Sequence, residues 1–267
     1  MEIQRVFKDF DLVEISETRI SDYVSLFREC FPNFNVDQNY LRWLYFENPL
    51  GNVVGFDAIF EDEIVGHYAC IPIRISGVSN IGLLSLNTAT SPRFQGRGLF
   101  RVLAENTFAQ ATRANFSCIV GVANSNSFQA FIRHLKFEHL GNLDLRFGNL
   151  ERERVGARIY SNEEISWRVN SPLNKFTVKY SKDMAMLSVP LKFGLKIKSY
   201  VPVDFQKMKF ERKRRFGLTV DWRKSSNPRL YLPKRFKPSP LALIFRSLDG
   251  TDSNIVTSWS FPDFDAF

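Results

Sequence analysis

The apolar positions of residues 19–31 recur with a helical period, placing Ile20, Tyr23, Val24 and Phe27 on one stripe. Tyr40, Leu41, Leu44 and Tyr45 repeat the pattern, and Asn48-Pro49 ends that second helix, because a residue preceding proline is pushed out of the α region. The pattern then becomes strand-like. Residues 52–77 hold two runs around the acidic turn Glu61-Asp62-Glu63, which predicts a hairpin, and residues 79–92 hold a third strand. The helical period returns with Leu99, Val102, Leu103, Phe108, Ala111 and Ala114. A short apolar strand at 118–124, a helix over 125–137 and a closing strand at 139–149 follow. This order of elements predicts an α/β layer around a mixed central sheet flanked by helices.

Residues 175–180, 184–193 and 195–203 read as three successive strands, followed by the basic run at 207–215 and two late runs at 241–248 and 253–259. The stretch Leu41–Phe56 is echoed by Ile165–Tyr180, with Trp43 matched to Trp167 and Pro49 to Pro172 once one gap is allowed. Each copy ends a helix at a proline and enters a strand hairpin. The expected organisation is therefore a first domain over 1–150 and a smaller strand-rich unit over 151–267, a truncated copy of the first. Chance placement of Trp and Pro is the alternative.

Charge sharpens this division. Residues 1–150 carry 13 Lys and Arg against 16 Asp and Glu, a net of −3, whereas residues 151–267 carry 23 against 12, a net of +11. The second half thus presents a field suited to an anionic partner, unless Lys207, Lys209, Arg212, Lys213, Arg214, Arg215, Arg223, Lys224, Lys234, Arg235 and Lys237 are only solvated surface. Apolar residues make up 44% and charged residues 24%, which supports a packed core and excludes a mainly disordered chain. The 26 phenylalanines favour strand-rich, aromatic-packed layers over a helical bundle. No window has the length of a membrane span, and the opening residues carry no secretory apolar region. Cys30, Cys70 and Cys118 are odd in number, widely spaced and without metal-ligand companions, so they are expected as buried thiols in a reducing, cytoplasmic setting, with no metal.

The stretch Thr90–Phe100 carries the most chemistry. A strand ends, a loop with Gly96 and Gly98 follows, and a helix begins. Glycines let backbone N–H groups approach a ligand, and the helix start adds free N–H groups and a positive dipole end, which together suit a pyrophosphate. A tight turn is the plainer reading. Gly98 is followed by Leu99 and Phe100 rather than Lys and Ser or Thr, which excludes a P-loop, and Arg101 excludes a dinucleotide fingerprint. Gln95-Gly96-Arg97-Gly98-Leu99-Phe100 follows Q/R-x-x-G-x-G/A up to its last position. Here the sequence resembles the GNAT superfamily of acyl-CoA-dependent acyltransferases. Asn124-Ser125-Asn126-Ser127, then Phe131, Leu135 and Phe137, is similar to a second stretch of that family. The resemblance covers residues 1–148. Phe100 in place of Gly or Ala, and Lys136 in place of Gly, depart from it.

The resemblance implies a GNAT fold and an N-acetyltransferase using acetyl-CoA or another acyl-CoA as co-substrate. Gln95, Gly96, Arg97, Gly98, Leu99 and Phe100 would hold the pyrophosphate through their backbone. Asn87, Thr88, Ala89 and Thr90 would pair with the pantetheine arm and polarise the thioester, and Asn126 would contact the arm from the other side. The family's usual carboxylate base has no counterpart between Asn80 and Pro92, where Leu84 stands near its place, and its usual Tyr acid is replaced by Phe131-Ile132. His67 is the candidate base, one strand from the thioester, with a structural histidine as the alternative; Tyr68 would face away from it. His134 is expected on the surface, and the carboxylate of Phe267 is a further candidate base. Trp43, Tyr45 and Phe46 either wall the acceptor pocket or pack the core. The acceptor is expected to be small and anionic, a nucleotide-linked amino sugar or surface-polysaccharide precursor. A tRNA-dependent aminoacyl transferase of the tandem-GNAT type and a non-catalytic acyl-CoA- or RNA-binding module remain open, although nucleic acid is the less favoured partner.

Overall fold

The computed structural model describes residues 9–32, 35–78, 80–150, 158–181, 184–190, 195–203, 215–223, 230–231 and 241–264. A short strand, β1 (Asp11–Glu14), leads into α1 (Ile20–Cys30) and α2 (Gln38–Phe46), then the meander β2 (Val54–Phe60), β3 (Glu63–Ile75) and β4 (Gly82–Thr90). After it come α3 (Leu99–Arg113), β5 (Cys118–Ala123), α4 (Ser125–Leu135) and the long β6 (Glu138–Leu150). The second half supplies β7 (Arg158–Ile159), α5 (Asn162–Val169), β8 (Thr177–Ser181), β9 (Met184–Pro190), β10 (Lys196–Pro202) and β11 (Arg215–Arg223). β12 (Leu230–Tyr231), β13 (Leu241–Ser247) and β14 (Ser258–Ser260) complete the described strands.

Local chemistry explains the boundaries. Asp37 caps α2 by accepting the Tyr40 N–H at 2.7 Å. Glu61 and Asp62 both adopt left-handed φ, +48° and +63°, the turn that matches strand twist and closes the β2–β3 hairpin. Lys136 takes the left-handed C-cap of α4 at φ +55°, a position where glycine would sit without steric cost.

The strands form one mixed sheet in the order β1-β2-β3-β4-β5-β13-β6-β11-β10-β9-β8. β4 and β5 are parallel, and β13 lies antiparallel between β5 and β6. The expected boundary at residue 150 therefore does not divide the sheet. Leu241–Ser247 from the second half is built into the first half, and β6 serves both: Glu138–Leu143 pairs with β13, Asp144–Leu150 with β11. Helices cover both faces. α1, α2 and α5 share one apolar core that continues to Leu187, Val201 and Trp259, whereas Phe108 of α3 and Phe131 of α4 pack with Tyr68 and Phe137 on the other face.

Part of the second half has the same order of elements as part of the first. α5 precedes the antiparallel strands β8, β9 and β10, and β11 then runs parallel to β10 through Ile197↔Leu218, as α2, β2, β3, β4 and β5 do. Trp43 and Trp167 meet at the junction with rings stacked at 4.5 Å. The Trp43 indole donates to the Trp167 carbonyl at 2.9 Å, and the Trp167 indole donates to the Trp43 carbonyl at 3.0 Å. The fully buried Arg168 holds the last turn in place, donating to the Pro262 carbonyl at 3.1 Å while Phe261 and Phe264 fill the core beside it. Among the described residues no helix is long and apolar enough to cross a membrane, and no group of three His, Cys, Asp or Glu side chains gathers as metal ligands.

Candidate active site

Beyond Thr90 the chain makes a 3-10 turn over Pro92–Phe94 and then the loop Gln95–Gly98. Phe94 anchors the turn, packing 5.8 Å from Phe10 and 5.2 Å from Phe60, and the Gln95 side-chain amide clasps the Thr90 carbonyl at 3.1 Å. Gly96 and Gly98 both hold left-handed φ, +76° and +80°. Gly98 is the N-cap of the 15-residue α3 and has no side chain with which to cap it. Its carbonyl accepts the N–H groups of Arg101 and Val102, while the first turn contains no acidic residue. Leu99 is buried, and Phe100 turns inward onto Phe131 at 5.2 Å and Tyr68 at 5.9 Å. That packing accommodates Phe100 where the family pattern has Gly or Ala. In front of Gly96 nothing stands within 4 Å of where a Cβ would be, so the loop is open to a ligand. Arg97 lies over the Phe94 ring at 5.0 Å, adding positive charge beside the helix start.

The loop adjoins a gap in the sheet. β4 and β5 pair only from Leu83↔Ile119 to Ser85↔Gly121, after which β4 runs on through Leu86–Thr90. β5 leads to Asn124, whose side chain accepts the Asn126 and Ser127 N–H groups at 3.0 Å and so starts α4. Asn126 is exposed in that first turn. An extended, amide-rich arm placed in the gap would meet the β4 edge on one side and the start of α4 on the other.

On its other edge, β4 is bulged against β3. His67 pairs with Ala89 and Ala69 with Leu86, so Tyr68 opposes both Asn87 and Thr88. Asn87 is left-handed at φ +49°, a conformation that Asn tolerates better than most residues. The bulge aims its side chain at Tyr45: the Asn87 carboxamide N–H donates to the Tyr45 hydroxyl at 3.1 Å. Tyr45 in turn lies 2.9 Å from His67 Nε2, and His67 Nδ1 lies 2.7 Å from Asp57 Oδ1. Tyr23 donates to Asp57 Oδ2 at 2.9 Å, and Arg19 lies 3.5 Å from the same oxygen. Tyr23, Tyr45, Asp57 and His67 are fully buried, whereas Asn87 is half-buried. Burial raises the Tyr45 hydroxyl well above its ordinary range, against the lowering effect of the Asn87 hydrogen bond.

The coenzyme residues expected from sequence thus fall on two adjoining features, the glycine loop with α3 and the β4–β5 gap. His67 occupies a different place from a freely accessible base. Its ring packs between Tyr23 at 4.8 Å and Phe27 at 5.3 Å, and both its nitrogens are engaged. Tyr68 faces the opposite side and bonds Ser85, as strand alternation requires. His134 and His139 are exposed. Asp57 and Tyr23 were not legible as site residues; a lone Asp inside the apolar run 52–60 was the available signal. Trp43 and Tyr45 are core residues. Lys207, Lys209, Arg212, Lys213, Arg214, Lys224, Lys234, Arg235, Lys237 and Phe267 lie outside the described residues, and Arg215 and Arg223 end β11.

No family model matches the sequence, and no curated protein matches it. Solved structures do. A conserved Enterococcus faecalis V583 protein named "Probable N-Acyltransferase" superposes with a TM-score of 0.60 at 10% identity, over 90% of this chain and 73% of that one. A GCN5-related N-acetyltransferase from Kribbella flavida gives 0.58 at 11% identity, over 92% and 72%. One from Anabaena variabilis gives 0.55 at 12%, over 90% and 73%. These likenesses extend across both halves of the chain. The chain has the GNAT fold: a large mixed sheet flanked by helices.

Proposed function

We propose that this chain transfers an acetyl or related acyl group from acyl-coenzyme A to an amino group of a small acceptor. The observation that carries the reading is the left-handed glycine loop at the start of α3 opening beside the unpaired β4 edge. The amides of Gln95–Phe100 would receive the pyrophosphate, the edge Asn87–Thr90 the pantetheine, and Asn126 the arm's far side. One β4 N–H would polarise the thioester carbonyl. The acceptor nitrogen then attacks the carbonyl carbon, the C–S bond breaks with its electron pair to sulfur, the nitrogen releases one proton and the thiolate takes one up. The fold likeness and the three free thiols of Cys30, Cys70 and Cys118 support a coenzyme-dependent enzyme working in a reducing, cytoplasmic setting.

The second half reads as a truncated repeat completing the acceptor side, supported by the parallel β10–β11 pair and the reciprocal tryptophans. Its +11 charge favours an anionic acceptor such as a nucleotide-linked amino sugar. The same repeat favours, as a second reading, aminoacyl transfer from tRNA, which would show steep salt dependence. The first test is thermal unfolding with acetyl-CoA. Ligand at about 100 Kd stabilises by about 2.7 kcal/mol. Coenzyme release is then assayed across amines, amino sugars and nucleotide-linked amino sugars. No thermal shift and no thiol release would remove the proposal.

A further inference from the structure

The chain of hydrogen bonds behind β4 has a direction. Asn87 donates through its amide nitrogen to Tyr45, so the single Tyr45 proton is left for His67 Nε2. Nε2 is then the acceptor nitrogen of the imidazole, and Nδ1–H donates to Asp57. Asp57 can only accept, and Tyr23 and Arg19 fix it from the other side. With every inner member spoken for, the amide nitrogen of Asn87 is the inward atom and its carbonyl oxygen the outward one. Strict strand alternation would have sent this side chain to the opposite face. The bulge and the left-handed φ of +49° bring it back over Tyr45, and strained conformations of this kind persist where surrounding structure over-determines them.

We infer that Asn87 is the acceptor-facing residue of this site, its carboxamide oxygen accepting a hydrogen from the attacking nitrogen, with Tyr45, His67 and Asp57 as the positioning chain that fixes that orientation. The inference rests on the acyl-transfer reading and specifies its acceptor side. An uncharged amine satisfies the outward oxygen, whereas a group that only accepts hydrogen bonds does not. Asn87 holds the nitrogen without taking its proton, which the departing thiolate receives. The buried histidine therefore acts through two intervening side chains rather than on substrate, and the high Tyr45 pKa keeps the donor to His67 in place.

The test uses the full chain, acetyl-CoA and hydroxylamine as a small probe nucleophile, with thiol release as readout and calorimetry for acetyl-CoA affinity. Asn87→Gly keeps the backbone and relieves the left-handed strain, so loss of folding does not confound it. Its kcat with hydroxylamine at saturating acetyl-CoA is expected to fall roughly tenfold or more. Tyr45→Phe and His67→Leu should fall alike. His67→Gln, whose amide can accept from Tyr45 and donate to Asp57, should recover most of what His67→Leu loses, which proton transfer through His67 would not allow. Turnover of Asn87→Gly within twofold of the parent overturns the inference, as does failure of His67→Gln to exceed His67→Leu. Bound acetyl-CoA without accelerated thiol release in the parent overturns it too. If acetyl-CoA does not bind the parent at all, the acyl-transfer reading itself has failed.

Discussion

Gly98→Ala tests the proposed pyrophosphate loop where its geometry is most demanding. Gly98 sits at φ +80° and ψ 6° as the N-cap of α3. A Cβ there costs roughly 1–2 kcal/mol, which the loop relieves by rotating the 97–98 and 98–99 peptides toward ordinary φ. Rotation turns at least one N–H away from the space in front of Gly96, which is otherwise empty. A hydrogen bond to a charged group contributes about 1.5–3 kcal/mol, so loss of one weakens coenzyme A binding by roughly 10- to 150-fold. Isothermal titration with coenzyme A measures this directly. Acetyl-pantetheine, which lacks the pyrophosphate, is the internal control and should bind the variant and the parent equally. Unchanged coenzyme affinity, or an equal loss for acetyl-pantetheine, refutes the assignment of the loop to pyrophosphate.

Trp43 and Trp167 exchange indole-to-carbonyl hydrogen bonds across the junction of the two halves, and each change to Phe should cost about 1–3 kcal/mol in urea unfolding. A second cycle with Trp43→Ala and Trp167→Ala, which removes the rings, should show a coupling of about 0.5–1.5 kcal/mol from the stack, and strict additivity there would deny that the rings act as a pair. Lys136→Gly removes the cost of a left-handed C-cap and should raise the urea midpoint, at constant slope, by an amount equivalent to about 0.5–1 kcal/mol. The Cys30 thiol is pushed up to about 11 by burial and by Glu29, while burial raises Cys70 and Cys118 to about 12. Because the thiolate is the reactive form, iodoacetamide should modify half-buried Cys30 first, at a rate rising about tenfold per pH unit up to pH 9. Mass mapping that finds Cys70 or Cys118 modified before Cys30 would contradict this ordering.

Local periodicity made most of the first half legible. The stripe Ile20, Tyr23, Val24, Phe27 became α1, and the turn at Glu61-Asp62 joined two strands where expected. Gln95–Gly98 was readable because a strand, two glycines and a helix start are all short-range features. From sequence, Tyr45 reads as acceptor-pocket wall or core aromatic, and His67 as candidate base or structural histidine. Their shared chain with Asp57 and Asn87 joins a helix to three strands and spans 42 residues of sequence between Tyr45 and Asn87. A β-bulge adds one residue to a ladder without changing the apolar pattern, so nothing along the chain announced that Asn87 would turn toward Tyr45.

The sequence alone determined the elements of the first half and the strand, glycine loop and helix start around Gly96 and Gly98, because each follows from spacing within a few tens of residues, whereas the contact between Trp43 and Trp167 came only with the fold. Only the tertiary structure decided that Leu241–Ser247 enters between β5 and β6, across the boundary that charge had suggested. Strand pairing is specified by complementary faces and closing geometry, and the ninety residues between Leu150 and Leu241 carry no local record of it. The same holds for the buried carboxylate of Asp57. Its partners are chosen by the cost of leaving a charge unpaired in the core, and that cost exists only once the core is assembled.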